Sequence, residues 1–188
     1  DTIGDMGSNY IPFLLRLNNN KLTGSITGSI SKLKYLHAMH LYENELSGSI
    51  PFHLQEMTSL NEFIAHSNSL RGPLENLFKD LKQQKLHPLT VVDVGNNQIT
   101  GTIPASISVF KSLTSLVVGG NCLSGSISAK LCELPYLKTL ELSGLTAGRS
   151  CRKNIWKGTV FENYFTGFTS SHFIEGSMPQ CIYTMSSL

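Results

Sequence analysis

Apolar residues recur along this chain in pairs two places apart. Leu15 and Leu17, Met39 and Leu41, Phe63 and Ala65, Val92 and Val94, and Leu116 and Val118 each bracket a single residue. Apolar positions two apart predict a short strand with one buried face. Three residues beyond each pair stands an Asn, at 20, 44, 68, 97 and 121. After each Asn come an apolar residue at two places, a Gly at four and Ile or Leu at six, as in Asn44-Glu-Leu46-Ser-Gly48-Ser-Ile50. The five Asn residues are separated by 24, 24, 29 and 24 positions. Self-similarity at a period in this range predicts stacked coils.

The pattern then changes period. Ile30, Leu54, Ile107 and Leu131 form one column, and Leu33, Met57, Phe110 and Leu134 lie three residues further on. Leu36, Leu60, Leu89, Leu113 and Leu137 lie three further again. A spacing of three predicts a 3₁₀ turn or short helix. Each Asn sits where the strand must turn, and its amide can bond backbone groups of its own loop and of an adjacent coil, building a ladder through the stack. The Gly supplies a positive φ or a close approach between coils. Ile and Pro after it fit an extended segment on the far side. One coil cannot bury its own apolar residues. Stacking supplies the missing wall, and each buried Leu then contributes roughly 1.5–3 kcal/mol.

Two stretches break the period. Five extra residues enter between Asn68 and Asn97, in the stretch FKDLKQQKLHPL, enlarging the coil at about 75–90. Phe78, Leu81, Lys82, Lys85 and Leu86 predict a longer helix ending before Pro88, with Lys79, Lys82 and Lys85 along one solvated stripe. The second break follows the regular coils of 1–145. Residues 146–171 form an irregular, island-like segment with the only Trp, Trp156, and with Phe161, Tyr164 and Phe165. A partial repeat returns over 172–188, with His172 where the Asn would stand. The island aromatics either cover the last regular coil or present Trp156 and Tyr164 to a ligand. The chain opens inside a repeat and stops in a repeat-like segment, so it is expected to be part of a longer one.

The string LxxLxLxxNxLxGxIPxxL, running through residues 14–142, resembles the leucine-rich repeat. It is most similar to the 24-residue form of plant receptor-like kinases and polygalacturonase inhibitors, a type also found in protist and bacterial proteins. The resemblance implies an α/β solenoid: a curved array with short parallel strands on the concave face and 3₁₀ or short helices and extended segments on the convex face. It also implies an extracellular or cell-surface setting, with a cytoplasmic one left open, and a protein, peptide or glycan as ligand. The alternatives are the sensor region of a membrane receptor-like kinase, or a structural scaffold.

In such a solenoid the residues between the buried strand positions face the concave side. That gives a central column of Arg16, His40, Ile64, Asp93, Val117 and Glu141. Asn18, Tyr42, His66, Gly95, Gly119 and Ser143 run along one side of it, and Leu14, Ala38, Glu62, Val91, Ser115 and Thr139 along the other. Arg and Tyr are favoured anchors of interfaces. The candidate contacts are therefore Arg16, His40, Tyr42, Glu62, His66 and Asp93, although every strand must place something on this face. His40, Glu62, His66 and Asp93 are scattered over three coils, which is a weak basis for a metal site or for acid–base chemistry. The chain holds no GxSxG, GxxxxGK[ST] or HExxH string. No enzymatic role and no cofactor is expected.

Composition narrows the partners. The formal charge of +2 on 188 residues is too small to point to nucleic acid or an acidic membrane surface. No apolar run approaches the length of a membrane span, so this segment is expected to make no membrane contact. No Asn-x-Ser/Thr sequon occurs. The four cysteines, Cys122, Cys132, Cys151 and Cys181, allow three complete pairings. Cys132 and Cys151 flank the place where the repeat fails, a position that suits a staple. Nothing in the sequence sets the oligomeric state.

Overall fold

The computed structural model describes residues 13–78, 88–143, 177 and 179–184. Strands β1 (Phe13–Arg16), β3 (Leu36–His40), β5 (Glu62–Ile64), β7 (Val91–Asp93), β9 (Ser115–Val117) and β10 (Thr139–Glu141) form a six-stranded sheet in that order. Every pairing in it is parallel. Between them β2 (Thr23–Ser25), β4 (Glu45–Ser49), β6 (Ser69–Pro73) and β8 (Gln98–Thr100) form a second, four-stranded parallel sheet. Helical turns of the 3₁₀ type follow at Gly28–Lys32, Phe52–Glu56, Leu74–Leu77, Ala105–Val109 and Ala129–Glu133, with another at Gln180–Thr184. This is the expected solenoid. The extended segment after each Asn is more than a connector, since four of them hydrogen-bond into a sheet of their own.

The core follows the columns. Met39, Phe63, Val92 and Leu116 are fully buried along one interior line, and Leu36, Leu60, Leu89, Leu113 and Leu137 along another. Leu41, Ala65, Val94 and Val118 form a third buried line. Leu17, at the head of that line, is 38% exposed. Leu22, Leu33 and Phe13 of the first coil are exposed too. Among the described residues this coil has a neighbour on one side only.

The Asn ladder forms and points one way. Asn97 Nδ2 donates to Val94 O and Gly95 O in its own turn and to Ala65 O of the preceding coil, each at 3.0 Å. Its Oδ1 accepts the Leu70 N–H at 2.9 Å. Asn44, Asn68 and Asn121 repeat the arrangement, each binding the coil before it. The residue just before each ladder Asn is left-handed, with φ between 51° and 64° at Asn19, Glu43, Ser67, Asn96 and Gly120. That turn aims the amide back into the stack. Asn and Gly tolerate this region, and their presence at three of the five positions was a signal in the sequence.

The enlarged coil leaves the sheet intact. Phe63 pairs with Val92 across 29 residues in the same parallel register in which Met39 pairs with Phe63 across 24. The expected helix and lysine stripe at 79–87 lie outside the described residues, as do the island and its Trp156 and Tyr164. The expected pairing of Cys132 with Cys151 is wrong. Cys132 is bonded to Cys181, with Cα atoms 5.9 Å apart. The physical reason is that the turn holding Cys132 stacks on the turn Gln180–Thr184, which places Cys181 beside it. Cys122 is disulfide-bonded as well.

Candidate functional site

The face of the six-stranded sheet turned away from the core carries the three expected columns in register. Arg16 pairs with His40, His40 with Ile64, Ile64 with Asp93, Asp93 with Val117 and Val117 with Glu141. Glu62 lies in the flanking column between Ala38 and Val91. The backbone bonds Glu43 N to His66 O, Ser67 N to Gly95 O, and Asn96 N to Gly119 O continue the other flank past the strand ends. They bring Tyr42, His66, Gly95 and Gly119 into one row.

Four of the six candidates form two contacting pairs. His40 Nε2 donates to Glu62 Oε2 at 2.9 Å, since a carboxylate can only accept. The Tyr42 and His66 rings stack with centroids 4.6 Å apart and planes 17° from parallel. The two pairs adjoin, because the His40 ring lies 6.3 Å from that of Tyr42. His66 Nδ1 also shares a hydrogen bond with Ser67 Oγ. Arg16 is exposed at one end of the central column and joins neither pair.

Asp93 is half-buried and differs electrostatically from the others. Burial holds its carboxyl above the ordinary aspartate range; the Gly95 N–H and the nearby His66 pull it back, and the charge of Glu141 adds to the rise. The Gly95 N–H reaches Asp93 Oδ1 at 3.0 Å. Glu141, absent from the candidate contacts, belongs with Asp93. It follows in the same column, its Oε1 accepting from Ser143 Oγ at 3.0 Å. The charge pattern of the column, Arg16 at one end and two carboxylates at the other, held the signal for it. Among the described residues no group of three or more His, Cys, Asp or Glu side chains is arranged to hold a metal ion.

A Leucine Rich Repeat family model matches residues 88–110. The coils are leucine-rich repeats, stacked as a solenoid. Among solved structures this leucine-rich repeat chain is similar to the plant peptide hormone receptor RGFR1 in complex with RGF2, at 35% identity and a TM-score of 0.63. That match covers 70% of this chain and 20% of the receptor chain. It is similar to the Arabidopsis receptor kinase HAESA in complex with the peptide hormone IDA and the co-receptor SERK1, at 36% identity and a TM-score of 0.63, covering 70% of this chain and 21% of that one. A plant ice-binding protein matches at 27% identity with a TM-score of 0.55, covering 64% of this chain and 38% of its own. A search of curated proteins gives no match. The leucine-rich repeat array thus spans about a fifth of these two receptor chains. Among its described residues no helix is long and apolar enough to cross a membrane.

Proposed function

We infer that this array is an extracellular recognition module, not an enzyme, whose concave face binds a peptide or a segment of a protein. The supporting observation is the pairing of Tyr42 with His66 and of His40 with Glu62 on that face, flanked by Arg16 and Asp93. Stacked rings and polar groups on a rigid sheet form a preorganised surface, which lowers the ordering cost of binding. The neighbours RGFR1 and HAESA were solved with peptide hormones, which favours a peptide over a glycan. Disulfide-bonded Cys132, Cys181 and Cys122 favour an oxidising compartment. Because those neighbours are receptors, the sensor region of a larger cell-surface receptor is the second reading. Segment 146–171 with Trp156 and Tyr164 remains part of the proposal as an additional contact region.

Selection of displayed random peptides against the immobilised array tests this. Tyr42→Ala and His66→Ala are each expected to weaken selected peptides about tenfold or more. The reading fails if no peptide binds. It also fails if binders ignore all six candidate positions and respond to the outer residues Arg71 and Thr100 of the second sheet.

A further inference from the structure

The charges of the concave face are sorted along the solenoid. Among the described residues, Arg16 is the only guanidinium or ammonium in the three columns of that face, and it stands exposed on β1. The carboxylates Glu62, Asp93 and Glu141 all lie further along, on β5, β7 and β10. Lys138, also exposed, stands ahead of β10 and outside the columns. Glu62 is engaged by His40. No ion pair joins Arg16, Asp93 or Glu141 to another side chain among the described residues. Half-buried Ile64 lies between Arg16 and Asp93 in the central column, with the Tyr42–His66 stack beside it. The face is thus positive at one end, apolar and aromatic in the middle, and negative at the other.

Arg16 and Asp93 are three strand spacings apart in their column. At about 4.8 Å for each spacing, that is about 14 Å. In an extended peptide, residues four apart share a face and lie about 13 Å from each other. We propose that the concave face takes an extended peptide laid across its strands, with an acidic residue over Arg16, an apolar residue over Ile64, and a basic residue, four positions from the acidic one, over Asp93. This deepens the proposed reading of the concave face and rests on it. Glu141, two strands beyond Asp93, extends the negative end. Complementary charges steer encounter and fix register, and like charges set against each other are penalised. A wholly acidic or wholly basic segment is therefore repelled at one end, and a neutral glycan leaves both ends unpaired. A cation over Asp93 also offsets the burial that presses on its carboxylate.

The probe is a displayed library of random peptides selected against the whole chain. Enriched sequences are expected to carry opposite charges four positions apart with an apolar residue between them. Arg16→Glu, at an exposed position, should weaken a selected peptide about tenfold or more, and exchanging the acidic residue of that peptide for arginine should restore binding to the variant. Asp93→Asn keeps an oxygen for the Gly95 N–H and should erase the preference for the basic residue over norleucine at the other end. Arg71→Glu makes the same charge change on the second sheet and should alter affinity by less than about twofold. The charge order is overturned if enriched peptides lack the opposed pair, if the exchanged peptide fails to rescue Arg16→Glu, or if Arg71→Glu weakens binding as much as Arg16→Glu does. Any of these results with peptides that still depend on Tyr42 or His66 removes the charge order alone. Failure of every peptide removes the recognition reading as well.

Discussion

The first and fourth coils carry the same motif in different surroundings. Asn20 and Asn97 each donate to two carbonyls in their own turn. Asn97 also binds the preceding coil through both ends of its amide and is 4% exposed, whereas Asn20 is exposed and makes no such bond among the described residues. Gly24 and Gly101 have φ of 88° and 89°. A Cβ at Gly24 would meet nothing within 4 Å, and one at Gly101 would run into the Glu75 carboxylate. Leu17 is 38% exposed while its counterpart Val94 is fully buried. The motif therefore sets local conformation in both coils alike, and the energy attached to each residue comes from the coil beside it.

The sharpest break of that comparison is Asn97→Ala against Asn20→Ala. Removing the Asn97 amide orphans the buried Leu70 N–H, at about 1–3 kcal/mol for an unsatisfied group, while the Ala65 carbonyl keeps its bond from Asn68 Nδ2 at 3.2 Å. A loss of about 2–3 kcal/mol is expected, against less than about 1 kcal/mol for Asn20→Ala. Equilibrium urea unfolding followed by circular dichroism measures both. Equal losses would mean that the ladder acts within each turn and not between coils.

The glycines come next. Gly24→Ala isolates the cost of a side chain at positive φ, about 1 kcal/mol. Gly101→Ala adds displacement of Glu75, whose Oε1 accepts from the Thr102 N–H and hydroxyl at 2.8 Å each. Charge-assisted bonds are worth about 1.5–3 kcal/mol, so the total loss should reach about 2–3 kcal/mol. If the pair matched, Glu75 would be free to swing aside at no cost. Below these stands Leu17→Ala against Val94→Ala. Leucine loses more carbon, yet the exposed site should lose under about 1 kcal/mol and the buried valine about 2 kcal/mol.

The repeat was legible because it is written five times, and recurrence turns a weak local signal into a strong one. The strand columns, the ladder and the apolar lines all followed from residue types two and three apart. Three features were harder to read. The second sheet arises from hydrogen bonds between backbones, which leave little mark on side-chain identity at Thr23–Ser25 or Gln98–Thr100. The partner of Cys132 depends on where the chain returns 49 residues later, and no local spacing encodes that. On the concave face the sequence placed each residue in its row but could not show that His40 leans toward Glu62, or that Tyr42 stacks on His66 and leaves its other face toward Gly95. Rows follow from period; contacts within a row depend on rotamers and on neighbours.

The same contrast of coils extends to the concave face, where it predicts the smallest effect. Arg16 of the first coil is exposed, while Asp93, two strands further along the same column from His40, is half-buried and its carboxyl is held above the ordinary range chiefly by that burial. A group whose pKa is raised on folding binds its proton more tightly in the folded chain. Its contribution is therefore fully present below the unfolded aspartate pKa of about 4 and is lost as pH rises through the folded value. Asp93→Asn keeps an oxygen for the Gly95 N–H and removes the charge. At neutral pH the variant should be at least as stable as the parent, and the stability difference should vanish as pH falls below about 4. Urea unfolding from pH 3 to 7 would reveal it, and a parent whose stability rises relative to Asp93→Asn as pH increases would reverse the sign. That outcome would make Asp93 a group the fold prefers charged, satisfied by Gly95 and His66 without any ligand.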